Sequence, residues 1–335
     1  MSESLSYKDA GVDIAAGEEA VNRIKTMVRS TFTPGVLTDI GKFGGFFALD
    51  PSVVREPVLV SSMDGVGTKL KIAFMTGKHD TIGEDLVNHC VNDIFVGGAR
   101  PLFFLDYIGT GKLSPDVIRE ILSGMVRGCK QAGCALIGGE MAEMPGFYPS
   151  GEYDVAGCIV GIVDKRKIID GSSIRKGDVL IGLRSSGLHT NGYSLARKVF
   201  FEKAGYTVGT AVDGLEGTLG QELLRVHRCY LNPVLPLLDR FAIKGMSHIT
   251  GGGIAGNTMR ILPEGRTLNI DWKSWDVSPI FGVIRSLGRV PEEDMRRTFN
   301  LGIGFIVIVD PSEADPVAEE LRRNGENPVV IGKVE

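Results

Sequence analysis

The chain has 335 residues, 37 basic and 41 acidic, for a net charge of −4. Hydrophobic residues make up 43%, which allows a sizeable core, suits two domains of ordinary size and argues against disorder. The mixed charge offers nucleic acid no basic face, and no apolar run is long enough to cross a bilayer. The start, MSESLSYKDAGVD, lacks the basic and apolar regions of a signal peptide. The five cysteines form no CxxC pair, and Cys129 and Cys134 are the closest two. That pattern suits a reduced cytoplasmic protein with buried thiols. Glycine is in excess: 45 of 335 residues, about 13% against a usual value near 7%. The glycines cluster in short loops between apolar runs, as phosphate-handling loops do.

In chain order, residues 58–63 read as a strand that runs into DGVGTK. Residues 81–95 are helical, with Asp80 as the expected cap. Residues 102–108 form a strand. Ser114-Pro115-Asp116 is a helix start, with a cap, a first-turn proline and an early acid. Ile118, Ile121, Leu122, Met125 and Cys129 then share one face. Strands at 135–137 and 153–163 complete a β-α-β-α-β-β order, which predicts one sheet with helices packed on it. A second domain is expected from about Asp170-Gly171, dividing the chain into 1–169 and 170–335. It begins with a strand at 178–183, the loop SSGLHTNG and a helix at 193–203. Another helix opens at Asn232-Pro233. A strand at 246–250 meets GGG and a helix from Ile254. Strands at 268–272 and 303–309 and an amphipathic helix at 312–324 follow. The fold class expected is α+β in two domains, the second a sandwich-like α/β layer.

Four acids recur in comparable settings. Asp64 ends the first strand, Asp106 interrupts the strand FFLDYIG, and Glu140 follows ALIGG. Asp93 lies within about 20° of Ile82 and Leu86 on a helical wheel, at the edge of the inward face. A buried carboxylate needs a cation or several donors. Separate caps, turns and ion pairs would account for each acid alone. Taken together they point to Mg²⁺, which takes a few carboxylates plus substrate phosphates. Lys69 would neutralise a phosphate, with the amides of Gly65, Gly67 and Thr68 close to it. The spacing is not that of a Walker A loop. In the second half, Ser186, His189, Thr190 and Asn191 in SSGLHTNG, and Gly251, Gly252 and Gly253 in TGGG, each stand between a strand and a helix. Such loops are either tight turns or anion sites. His189, flanked by hydroxyls and glycines, is an acid–base candidate.

The segments SYKDAGVDI, DGVGTK, CVNDI, LFFLDYIGTGK, GGEMAEMPG, YDVAG, SSGLHTNGYSL, HITGGG and TFNLGIGF occur in that order. In them the chain resembles the phosphoribosylformylglycinamidine cyclo-ligase family from about Leu5 to Glu335. The resemblance implies ATP-dependent imidazole ring closure in purine biosynthesis, by way of a phosphorylated formyl oxygen. It also implies a cytoplasmic homodimer whose first sheets join into a barrel, with ATP and Mg²⁺ near the interface. It assigns Asp64, Asp93 and Glu140 to the metal side and Lys69 to the phosphate side. Lys8 and Lys25 would close over the nucleotide, and Asp106 would stand beside it. His189 and Asn191 would be the polar pair of the substrate loop, with Ser186, Thr190 and the TGGG glycines holding substrate. Met141 stands where the family pattern has threonine, which removes a hydroxyl there. A selenophosphate synthetase would carry an early reactive cysteine, but the first here is Cys90. A hydrogenase-maturation relative would end in a cysteine tail, and a thiamine-phosphate kinase relative lacks YDVAG and HTNG. The alternative from another class is a non-catalytic nucleotide-binding or regulatory protein, which could lose the acids and His189. All are present.

Overall fold

The computed structural model describes residues 5–50, 52 and 54–335. The N-terminal helix α1 (Ile14–Arg29) is capped by Asp13, whose carboxylate accepts the Ala16 amide. It buries Ala20, Ile24 and Val28. There follow β1 (Pro57–Gly65), α2 (Leu70–Thr76), α3 (Ile82–Phe95), β2 (Arg100–Thr110), α4 (Pro115–Ala132), β3 (Ala135–Glu143) and β4 (Tyr153–Asp164). The β-α-β-α-β-β order expected from the sequence is present, with α1 and α2 added. The cap of α3 is Thr81 rather than Asp80. The α4 face is buried at Ile118, Ile121, Leu122, Met125 and Cys129, as its spacing predicts.

The four strands lie in the order β1-β4-β2-β3. Only β2 and β3 run parallel. The strands form no closed barrel among the described residues, and β1 and β3 are open edges. Strand β3 continues past Ile137 to Glu143: a bulge at Ile137 shifts the register, and Gly138 and Gly139 then pair with Leu105 and Asp106 of β2. Gly139 has no room for a side chain: an added Cβ would lie 2.3 Å from Asp106 Oδ1. Helices α3 and α4 pack closely through glycine, since a Cβ on Gly83 would lie 2.0 Å from the Ile121 carbonyl.

The second sheet contains β5 (Val179–Arg184), β6 (Gly245–His248), β7 (Leu268–Ile270), β8 (Ile303–Val309) and β9 (Val329–Val334), in the order β6-β8-β5-β9-β7. It is antiparallel throughout. This corrects the α/β expectation for the second half, and both halves are α+β layers. Strand β8, between β6 and β5, is buried at every position. Helix α5 (Tyr193–Arg197) passes into a π-helical turn through Lys203. Helices α6 (Leu219–Leu223), α7 (Leu231–Val234), α8 (Gly253–Thr258), α9 (Pro279–Gly288), α10 (Glu292–Thr298) and α11 (Ala314–Arg323) complete the layer.

Helix α3 is enclosed by both halves. Twelve of its residues are buried, including Asp85, Asn88, His89 and Asn92. Asn88 donates to the His227 carbonyl (2.7 Å) and Asn92 to that of Arg228 (2.8 Å), while the Tyr230 amide donates to Asn92 (2.9 Å). These bonds satisfy polar groups that would otherwise be costly to bury. They also fix the second domain's loops against the α3 acids.

Candidate functional site

Three loops meet where α3 touches the second domain. Thr68 of DGVGTK lies 3.1 Å from Ser194, at the start of α5. Asn191 Oδ1 lies 3.3 Å from the Cβ position of Gly251, so SSGLHTNG and TGGG adjoin. Asp64, Asp93, His89 and His248 stand at this junction.

Asp64 Oδ1 accepts the Gly65 amide (2.7 Å), and Oδ2 pairs with His89 Nε2 (2.8 Å). The His89 hydrogen bond keeps the Asp64 carboxyl below its usual range, and its side chain stays 45% exposed. Asp93 is 28% exposed and lies at the edge of the inward face, bonded to His248 Nδ1 (2.8 Å) and Ser62 Oγ (3.1 Å). Burial alone would raise the Asp93 carboxyl, but its hydrogen bonds outweigh that and hold it low. Burial holds His248 toward the neutral form, so its contribution to Asp93 is a hydrogen bond more than a charge. Burial also opposes charge on His89, yet Asp64 and Asp93 outweigh it and raise that imidazole.

Behind this layer lies a second. His89 Nδ1 contacts Thr190 Oγ1 (2.8 Å), which also contacts His227 Nδ1 (3.2 Å). His227 Nε2 lies 2.9 Å from His248 Nε2. Thr190 therefore links imidazoles and does not face a ligand. His189 stands in the expected strand-to-helix loop but does not open to solvent. It is 1% exposed, stacks on His227 at 4.0 Å and accepts the Ser186 amide at Nε2 (3.2 Å). Burial drives its basicity well down. The expected neutral-pH base is thus a loop-fixing group with no open face. Ser186 Oγ donates to the Val226 carbonyl (2.5 Å), so its hydroxyl is directed into the protein. The amides of Gly252 and Gly253 are engaged by the carbonyls of Arg297 (3.0 Å) and Thr250 (3.2 Å). Gly253 is required sterically, because a Cβ there would lie 1.8 Å from the Arg296 carbonyl.

Lys69 is a further correction. It is 0% exposed, and its ammonium meets Asp85 (2.8 Å) and the Arg225 carbonyl (2.7 Å). It does not reach a phosphate at the surface, because both partners lie in the domain seam.

The remaining expected residues lie toward the β3 edge of the first sheet. A cavity of about 670 Å³ between α1, residues 39–45 and the β2–β3 edge is lined by Ile24, Phe103, Asp106, Gly139, Glu140 and Met141, among others. Lys25 borders it through Asp39 (3.8 Å). Lys8 is 75% exposed and paired with Asp13 (2.7 Å). Asp64, Gly157, Asp106 and Gly139 form one row across four strands. At roughly 4.8 Å per strand, Asp64 and the Glu140 edge stand about 14 Å apart. One chain therefore does not unite Asp64, Asp93 and Glu140 in a single metal centre.

Burial pushes the Asp106 carboxyl up from 3.8 to about 7, so its ionised form opposes folding. Its stabilising contribution is full below pH 3.8 and is lost as pH rises through about 7. Asp106→Asn is expected to stabilise the protein more in mildly alkaline than in mildly acidic buffer. The shift sets an upper bound of about 4 kcal/mol, and water in the cleft reduces this to about 1–2 kcal/mol. Urea unfolding at both pH values measures it, and a pH-independent difference would refute it.

The sequence reading missed His89, His227 and His248. Two signals were present: His89 stands one helical turn before Asp93 in NHCVND, and His248 immediately precedes the ITGGG loop. His227 has no such signal, because only the fold brings it between Thr190 and His248.

Residues 49–163 match the family described as AIR synthase related protein, N-terminal domain, and residues 175–335 match its C-terminal domain. Among curated relatives, the phosphoribosylformylglycinamidine cyclo-ligase of Alkaliphilus metalliredigens is 54% identical over 98% of this chain and 95% of its own. That of Geotalea uraniireducens is 54% identical over 100% of this chain and 96% of its own. Among solved structures, thiamine-monophosphate kinase from Stenotrophomonas maltophilia superposes with a TM-score of 0.69, at 18% identity and 93% coverage of both chains. The hydrogenase maturation protein HypE in complex with ATP gives 0.66 at 20% identity, covering 94% of this chain and 86% of its own. These two likenesses show a shared fold. Identity above half along almost the whole length, with both domains matched in order, makes the chain a member of the phosphoribosylformylglycinamidine cyclo-ligase family.

Proposed function

We propose that the chain closes the imidazole ring of formylglycinamidine ribonucleotide to give aminoimidazole ribonucleotide, with ATP converted to ADP and phosphate. The observation that carries this reading is the 54% identity to named cyclo-ligases across 98% of the chain. In this reaction ATP phosphorylates the formyl oxygen, the ribosylated nitrogen attacks that carbon, and phosphate leaves. No enzyme nucleophile is needed. Burial pushes the thiols of Cys90, Cys129 and Cys229 up, so none of them is a ready thiolate.

The residues supply placement and charge. Asp64 and Asp93 offer carboxylate oxygens at an open junction, each oriented by an imidazole. This donor set fits Mg²⁺, which is usually held by one or two carboxylates together with nucleotide phosphates. Bound there, the ion would neutralise the transferring phosphoryl group. Thr190 and His227 hold the two imidazoles in place. Asn191 and Gly251 sit at the mouth of the second-domain loops, where they can hold the ribonucleotide. Asp106, kept close to neutral, can present a hydroxyl to a heterocycle in the cleft beside Glu140. Reacting groups held in this way gain from orientation and fixed electrostatics.

The separation of the two acidic centres is resolved by a homodimer. Strand β1 is an unpaired edge and exposes Leu59 (59%) and Met63 (69%), as β3 is on the other side of the sheet. Pairing each β1 with the partner's β3 closes an eight-stranded barrel without free edges. In it, Asp64 of one copy and Glu140 of the other would stand on adjoining strands. Among the described residues, no helix is long and apolar enough to cross a membrane, and a cytoplasmic location agrees with that.

With ATP, Mg²⁺ and formylglycinamidine ribonucleotide, the protein is expected to release ADP, phosphate and aminoimidazole ribonucleotide in equal amounts. ATP hydrolysis indifferent to the ribonucleotide would favour the non-catalytic or another-substrate alternative. Sedimentation at micromolar protein is expected to give the dimer mass, and a monomer mass would remove the barrel.

A further inference from the structure

Two imidazoles and two carboxylates converge at the domain junction. His89 Nε2 lies 2.8 Å from Asp64 Oδ2 and 3.9 Å from Asp93 Oδ2. His248 Nδ1 lies 2.8 Å from Asp93 Oδ1. The donor atoms of His89, Asp93 and His248 all fall within 4.8 Å of one another. Hydrogen bonding among the four would explain the cluster if it ended there. It does not: the outward nitrogen of each imidazole is also fixed. His89 Nδ1 is held by Thr190 at 2.8 Å, and His248 Nε2 by His227 at 2.9 Å. Metal-binding histidines are oriented in this way, with the far nitrogen tied to an outer partner.

The donor chemistry selects the ion. Mg²⁺ takes oxygen and keeps several waters. Two imidazole nitrogens with carboxylate oxygen suit Zn²⁺ or Co²⁺, in a tetrahedral arrangement. We propose that His89, Asp93 and His248, with Asp64 as the fourth donor, form a binding site for a divalent transition-metal ion of the Zn²⁺ class. The ion replaces the direct His89–Asp64 and His248–Asp93 contacts with bonds through itself, while Thr190 and His227 keep both rings aimed inward. This binding step stands on the chain's own residues and is independent of nucleotide. One consequence rests on the functional reading above: the ion draws on the same two carboxylates as the nucleotide's Mg²⁺, and its two imidazole bonds hold it there against free Mg²⁺.

The test is a Co²⁺ titration of the nucleotide-free protein, residues 1–335. One equivalent per chain is expected, with the intense visible bands of tetrahedral cobalt. No near-ultraviolet thiolate-to-cobalt band is expected, because the cluster contains no sulfur. Excess Mg²⁺ should leave the bands in place, and Zn²⁺ should abolish them. His248→Gln and His89→Met should each weaken Co²⁺ binding by roughly 10²-fold or more, since losing only an outer partner already costs 10–100-fold. Two variants are used because His248 is fully enclosed, and the melting temperature of each verifies its fold. Weak octahedral spectra, displacement by Mg²⁺, a thiolate band, or unchanged affinity in a folded variant would each overturn the site. ADP formation with the ribonucleotide is measured separately, so failure of the metal site and failure of the cyclo-ligase reading remain distinguishable.

Discussion

Mixing an Asp64→Asn chain with a Glu140→Gln chain is expected to restore turnover that neither chain has alone. Each substitution keeps shape and removes a charge. If each carboxylate stabilises the transferring phosphoryl group, each variant alone should lose roughly 10²-fold or more in turnover. The acids are about three strands apart in one chain, roughly 14 Å, so they do not share a site there. In a barrel closed β1 to β3, each site takes Asp64 from one copy and Glu140 from the other. A mixed dimer then has one site with both substitutions and one with neither. Random pairing makes about half of the dimers mixed, so about a quarter of normal turnover should return. Asp93 lies beside Asp64 in the same copy, joined through His89. Mixing Asp64→Asn with Asp93→Asn should therefore recover nothing. Mixed dimers that are verified by mass but remain inactive would mean that the two acids do not form a shared site. Full turnover in the Glu140→Gln protein alone would show that Glu140 is dispensable.

What the sequence made legible follows from local rules. The α4 cap and face, the strand before DGVGTK and the β8 run are set by proline geometry, periodicity and continuous apolar burial. The loops SSGLHTNG and TGGG were located correctly as strand-to-helix turns. The role of their polar groups is not legible, because an anion site and a self-satisfied turn have the same composition. Ser186, His189, Gly252 and Gly253 are each engaged by a backbone partner, His189 and Gly253 within their own loops and Ser186 and Gly252 from Val226 and Arg297. Lys69 is ambiguous in sequence for the same reason. A lysine after glycines suits a phosphate or a buried acid equally well, and Asp85 is one helix away in sequence. The histidine cluster was unreadable as a unit, since His89 and His227 lie far apart in the chain and meet only across the domain seam. Asp93 was placed correctly because its setting is a matter of helical angle alone.

Lys69→Met is expected to unfold the protein more easily without acting chiefly on nucleotide affinity. The Lys69 ammonium lies 2.8 Å from Asp85 and 2.7 Å from the Arg225 carbonyl, with no solvent exposure. Asp85 Oδ1 also accepts the His227 amide (2.7 Å), so this pair joins the first domain's helix to the second domain's loop. Removing one member of such a pair leaves a buried charge and costs about 3–5 kcal/mol. Burial already pushes the Asp85 carboxyl up to about 6, even with the lysine present. Its folded pKa is therefore above its unfolded value of 3.8. The contribution of Asp85 is full below the unfolded value and is lost as pH rises through the folded one. Without Lys69 that folded value rises further, so the variant's deficit should grow from mildly acidic to mildly alkaline buffer. Adding Asp85→Asn removes the stranded charge and keeps an acceptor for the His227 amide. The double variant should recover more than half of the loss in urea unfolding. Had Lys69 been a phosphate ligand, the single variant would keep its stability and raise KM for ATP, and Asp85→Asn would rescue nothing. That result would require the lysine to leave Asp85 when nucleotide binds.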